Sequence, residues 1–151
     1  MTAMPRHALA TQKDGEQLMA GKFTPANEAV RETLDWGSLG WCSRPSSTGT
    51  KQIVAIEVTL APGGGHAFHK HPKQEEVIYV IDGQVEQWLE QETRVMKTGD
   101  SVFIPADAVH ASFNTSQRDA KLLAILGPSM GGDTGYQLEE VADQAPWNTL
   151  R

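Results

Sequence analysis

The chain is poor in features that define several large protein classes. It holds one cysteine, Cys42, so no disulfide can form within it and no thiolate cluster can hold a metal. It has no basic run, and its formal net charge is −6. That balance excludes the electropositive surface needed by nucleic-acid or anionic-membrane binding. No apolar stretch approaches the roughly 20 residues of a membrane span. Residues 1–21 contain no apolar stretch of the kind a secretory signal needs. The expectation is a cytoplasmic protein, a compartment in which the sequon Asn114-Thr115-Ser116 has no consequence. Histidine is scarce as well: only His7, His66, His69, His71 and His110 occur.

What is present is a series of short β runs. Stretches 52–60, 67–71, 76–81, 84–90, 101–104, 109–114 and 121–126 are rich in Val and Ile and separated by Gly, Pro, Asp or Asn. Many short strands at near-even spacing predict an all-β sandwich or barrel. Ahead of them, 27–41 predicts an early strand or two, and 44–50 a loop. The division expected is an irregular N-terminal extension over 1–24 with one short helix near 13–19, a β-barrel domain over 25–127, and a tail over 128–151 packing on or near the barrel.

Three of the five histidines fall in two short stretches. His69 and His71 are two residues apart, a spacing that puts both side chains on one face of a strand. Pro72-Lys73 predicts a turn, after which a strand from Glu76 returns its carboxylate beside the two imidazoles. His110 follows in the second stretch. Three imidazoles and a carboxylate form a nitrogen and oxygen donor set that suits iron, manganese, nickel, cobalt, copper or zinc. Four ligands on a six-coordinate metal leave two positions open for chemistry.

These stretches resemble the two motifs of the cupins. Gly63, His69, His71, Glu76 and Gly83 stand in register with the first motif, and Gly99, Pro105, His110 and Asn114 with the second. The fifteen residues 84–98 separate them. The resemblance implies a double-stranded β-helix, or jelly roll, holding one divalent transition metal per chain on His69, His71, Glu76 and His110. It also implies a homodimer acting on a small molecule. Asp107 stands where the family has glycine, and aspartate tolerates left-handed backbone better than most residues.

Strand alternation predicts the lining. Glu76, Ile78 and Val80 share a face, as do Val85, Gln87 and Leu89, and His110, Ser112 and Asn114. The result is an apolar pocket with a few polar groups near the metal, of which Gln87 is the best candidate either for supporting the site from behind its first ring of residues or for contacting substrate. The catalytic candidates are therefore Glu76 and Gln87. His66, three residues before His69, is expected to face away from the metal. Val77, Tyr79 and Ile81 make the other face of their strand apolar too, which predicts a cover from the N-terminal segment or a second subunit; Trp88 and Phe113 are candidates for the same surface.

Gly127-Pro128-Ser129-Met130-Gly131 matches the nucleophile elbow of α/β-hydrolases, but glycines follow where a helix is required. Ser129 is thus expected in a loop. Three functions fit the pocket. The first is a metal-dependent oxidoreductase, dioxygenase-like, acting on a small organic molecule. The second is a metal-dependent isomerase, epimerase or lyase on a sugar or sugar acid, whose base would be Glu76 released from the metal, since no lysine or tyrosine is clearly placed inside. The third is a non-catalytic binding or sensor protein. The donor set favours the first.

Overall fold

The computed structural model describes residues 20–151; the helix expected near 13–19 lies outside them. Eleven strands follow in order: β1 (Val30–Leu34), β2 (Gly37–Ser43), β3 (Val54–Leu60), β4 (Gly65–Lys70), β5 (Glu75–Asp82), β6 (Gln84–Leu89), β7 (Glu92–Lys97), β8 (Ser101–Ile104), β9 (His110–Phe113), β10 (Ala120–Gly127) and β11 (Glu139–Glu140). They form a six-stranded sheet, β1-β2-β3-β10-β5-β8, and a five-stranded sheet, β11-β4-β9-β6-β7. Every pairing is antiparallel. This is the all-β jelly roll expected.

The alternation on β5 explains how the sheets face. Glu76, Ile78 and Val80 are buried while Val77, Tyr79 and Ile81 point out. Their inward partners come from both sheets: Leu60, Ile104, Ala120 and Leu122 from one, Val85 and Met96 from the other. The β5–β6 connection turns at Gly83, where φ is 90° and an added Cβ would stand 3.1 Å from the Ala120 Cα and the Asp119 carbonyl oxygen. Both the left-handed backbone and the close approach require glycine there.

Several sequence expectations need correction. Strand β7 was not foreseen, because Glu-Thr-Arg-Val-Met-Lys buries only Met96 and lies at a sheet edge. One helical turn, Pro45–Thr48, stands in the expected loop. Trp88 and Phe113 do not share a surface with Tyr79, since they lie on the five-stranded sheet. There they surround Phe68, which also packs on Trp147, with ring centroids 5.6, 6.1 and 5.7 Å away. The C-terminal segment thus covers that sheet through Val141, Trp147 and Leu150. The cover expected over Val77, Tyr79 and Ile81 is not supplied by the described residues, which leave them 39, 43 and 38% exposed.

Asn114 is wholly buried, but it is a structural pin and not a pocket group. Its Nδ2 donates to the carbonyls of Leu60 and Arg118 at 2.9 and 2.8 Å, and its Oδ1 accepts from the Ser116 amide and hydroxyl. Ser129 is in the loop after β10, with no helix behind it.

Candidate metal centre

Four side chains from three strands and one turn converge inside the sandwich. His69 comes from β4 and His71 from the residue just beyond it; Glu76 comes from β5 and His110 from the start of β9. The β4–β9 pairing sets His69 directly opposite His110. The turn at Pro72-Lys73 folds β5 back, as the sequence predicts. One donor atom from each residue lies within 4.8 Å of the other three, and all four residues are buried.

The hydrogen bonds of the imidazoles fix which atom each presents. His69 Nδ1 lies 2.7 Å from the Ala67 carbonyl oxygen, His71 Nδ1 2.6 Å from that of Gln137, and His110 Nδ1 3.0 Å from that of Ala108. A carbonyl only accepts, so each Nδ1 carries a proton and Nε2 is the ring nitrogen left for the centre. Backbone carbonyls commonly orient metal-bound histidines in this way. His110 Nε2 and His71 Nε2 stand 2.8 and 3.4 Å from Glu76 Oε2. Yet none of these three buried atoms has a hydrogen-bond partner. Burying polar atoms without partners costs free energy, and a cation among them removes that cost. The donor set therefore fits a metal.

Around the donors lies a small cavity, with about 40 Å³ of water-accessible space. Its walls are mostly apolar, including Leu39, Val58, Leu60, Ile78 and Leu122, with Ser112 and Tyr136 as polar groups. Gln87 does not line it. Its Oε1 instead accepts a 2.6 Å hydrogen bond from Ser112 Oγ, which does line the cavity.

His66 departs from expectation. It lines the cavity and stacks on His69 at 3.8 Å between ring centroids, with Trp36 on its other side at 5.3 Å. Plain alternation would put residues three apart on opposite faces, but the register shifts between His66 and His69. Burial pushes the His66 imidazole down to about 4, with Glu76 pulling it up and His110 and His71 lowering it further. Burial likewise holds His69 well below its usual value, helped by His66 and His110. Both rings are therefore neutral near pH 7.

A pH dependence follows. An unfolded histidine titrates near 6.5, so below that pH the unfolded chain binds protons that the folded chain refuses. Stability of the chelator-treated protein falls as pH drops from 6.5 toward 4. Thermal midpoints at pH 7 and 4.5 check this; an equal or higher midpoint at pH 4.5 would contradict it.

Two residues near the site escaped the sequence reading. Tyr136 reaches the cavity from the segment after β10, its ring 5.1 Å from that of His71. Burial, then Glu76 and Glu140, push its phenol above the ordinary range, so it stays protonated. Gln74 is 1% exposed, and its side chain bonds only to that same segment. Asp107 adopts φ 68°, the left-handed backbone its place in the second motif demands, and its carboxylate lies 2.8 Å from Lys70 Nζ.

Comparison with known proteins agrees with this geometry. The family described as Cupin domain matches residues 56–126. Protein SchB of Streptomyces halstedii is 32% identical over 104 residues, covering 68% of this chain and 75% of SchB. Polyketide synthase CurC of Streptomyces cyaneus is 32% identical over 92 residues, 61% of this chain and 60% of CurC. Among solved structures, oxalate decarboxylase of Bacillus subtilis, described with Mn(II) centres, superposes with a TM-score of 0.65 at 20% identity, covering 77% of this chain and 31% of that one. At that identity the likeness shows the fold alone.

Proposed function

Because the chain belongs to the cupin superfamily, we propose that His69, His71, Glu76 and His110 hold one divalent transition metal and that the protein is a metal-dependent oxidoreductase, dioxygenase-like, acting on a small organic molecule. The observation that carries this reading is the convergence of His71 Nε2, Glu76 Oε2 and His110 Nε2, all buried and all without a hydrogen-bond partner. The Mn(II) centres described for the oxalate decarboxylase, which shares this fold, are in keeping with the metal part of the reading. A redox-active metal held there supplies electron transfer with dioxygen and open coordination positions.

The chain's own residues do the rest. Leu39, Val58, Leu60, Ile78 and Leu122 wall the centre with apolar groups and exclude bulk water from it. Tyr136, kept protonated, is placed to donate a hydrogen bond to a substrate oxygen. Ser112 Oγ donates its hydrogen bond to Gln87 Oε1, which leaves its lone pairs free to accept. Gln87 thereby serves the site by orienting Ser112.

The test is oxygen consumption by Fe(II)- or Mn(II)-reconstituted protein over a panel of small phenolic and hydroxy-carbonyl compounds. Uptake is expected with at least one compound, falling at least about tenfold in Glu76→Gln. Metal-loaded protein that consumes no oxygen with any compound would overturn the oxidoreductase reading. One observation bears on a second reading, a metal-dependent isomerase, epimerase or lyase: Tyr136 brings to the cavity a protonated phenol that can donate a hydrogen bond to a substrate carbonyl oxygen. Deuterium uptake from solvent at a substrate carbon, without oxygen consumption and lost in Tyr136→Phe, would select it.

A further inference from the structure

Gln74 lies in the turn between His71 and Glu76, yet none of its side-chain hydrogen bonds goes to that turn. Its Nε2 donates to the carbonyls of Pro128 and Gly135 at 2.8 and 2.9 Å. Its Oε1 accepts from the Gln137 amide at 3.0 Å. The partners are 54 to 63 residues away in sequence. Both amide protons and the oxygen are satisfied, in a side chain 1% exposed.

The far side of this clamp returns to the site. The Gln137 amide is held by Gln74, and the Gln137 carbonyl accepts from His71 Nδ1 at 2.6 Å. Tyr136, which lines the cavity, stands between Gly135 and Gln137, both of which Gln74 holds. Ahead of them Gly131 and Gly132 both take positive φ, 73° and 67°, and are exposed. Apart from Gln74, that stretch is tied by the Ser129 amide on the Gln52 carbonyl, by the Ser46 amide on the Asp133 carbonyl with the Arg44–Asp133 ion pair at 3.3 Å, by the edge contact of Tyr136 with Trp41, and internally by the Met130 and Gly135 amides.

We propose that Gln74 is the positioning residue of this centre: by clamping residues 128–137 it sets the proton and ring of His71 and seats Tyr136 in the cavity. The segment and the centre are then coupled, so a metal that needs His71 Nε2 also stabilises the segment, and loosening the segment weakens the metal. A merely structural amide would lower stability and leave the His71 tautomer as it is. The consequence for metal affinity rests on the metal-centre reading above; the consequence for His71 does not.

The experiment uses the full chain and Gln74→Met, which keeps the volume and loses all three hydrogen bonds. A second variant, Gln74→Glu, keeps the acceptor for the Gln137 amide and loses the two donors. Imidazole ¹⁵N spectra of the chelator-treated proteins should show His71 as the Nδ1–H tautomer in the parent and as a mixture in Gln74→Met. Amide exchange in 128–137 should rise in both variants, more in Gln74→Met. Val85→Ala, destabilised in the core cluster and not lining the cavity, should keep the parent tautomer. With Co(II) as probe, the affinity of Gln74→Met should fall about tenfold or more, with an altered visible ligand-field spectrum. An unchanged His71 tautomer and unchanged exchange in Gln74→Met would overturn the proposal. Absence of Co(II) binding by the parent chain would instead overturn the metal reading, while the tautomer and exchange results still decide the role of Gln74.

Discussion

His110→Ala is expected to lose stoichiometric metal binding while remaining folded. His110 is 1% exposed, and its Nε2 is one of the three partnerless buried atoms aimed at the centre. Its removal takes away one of two imidazoles set opposite each other across the β4–β9 pairing. It also leaves the Glu76 carboxylate, 5% exposed, without its 2.8 Å neighbour. The core residues Leu60, Val80, Val85 and Ile104 are untouched, so the sandwich persists. Elemental mass spectrometry of untagged parent and variant, with far-ultraviolet circular dichroism as the fold check, reads the result. The expected outcome is about one metal per parent chain and essentially none in the variant. Full occupancy in a folded variant would remove His110 from the donor set.

Leu60→Ala is expected to separate stability from metal binding. Leu60 is wholly buried at the end of β3, packs in the cluster with Ile78, Val80, Val85 and Met96, and also lines the cavity. Truncating a buried leucine costs about 3–5 kcal/mol through lost burial and the void left behind. In a domain of this size that lowers the thermal midpoint by roughly 10 °C or more. Its carbonyl still accepts from Asn114, because the backbone is unchanged. The donor residues come from β4, β5, β9 and the turn, so metal stoichiometry should stay near the parent value. Calorimetry and elemental analysis together check this. A midpoint within a degree or two of the parent would show that Leu60 packs less tightly than its burial implies.

Much of this architecture was legible because β periodicity is strict. On β5 a single alternation assigns Glu76, Ile78 and Val80 inward and Val77, Tyr79 and Ile81 outward, and the structure follows it residue by residue. The spacing of His69, His71 and Glu76 works for the same reason. The failures occur where period two breaks or where the backbone carries the interaction. His66 was misplaced because a register shift on β4 turns it toward its neighbour. Strand β7 was missed because a charged edge strand has almost no apolar signal. Gln74 and Tyr136 were missed because the segment that joins them to the site holds it through main-chain carbonyls and amides. Trp88 and Phe113 were placed on the wrong surface because the sequence does not say which sheet the C-terminal segment will cover.

The central claim is that one metal ion sits among these four side chains. Anomalous diffraction from crystals grown with Mn(II) or Co(II), collected on both sides of the metal's absorption edge, tests it most directly. The expected result is one strong peak per chain, about 2.0–2.3 Å from Nε2 of His69, His71 and His110 and from a Glu76 carboxylate oxygen. A peak elsewhere on the protein, or none at this position in metal-saturated crystals, would contradict the account.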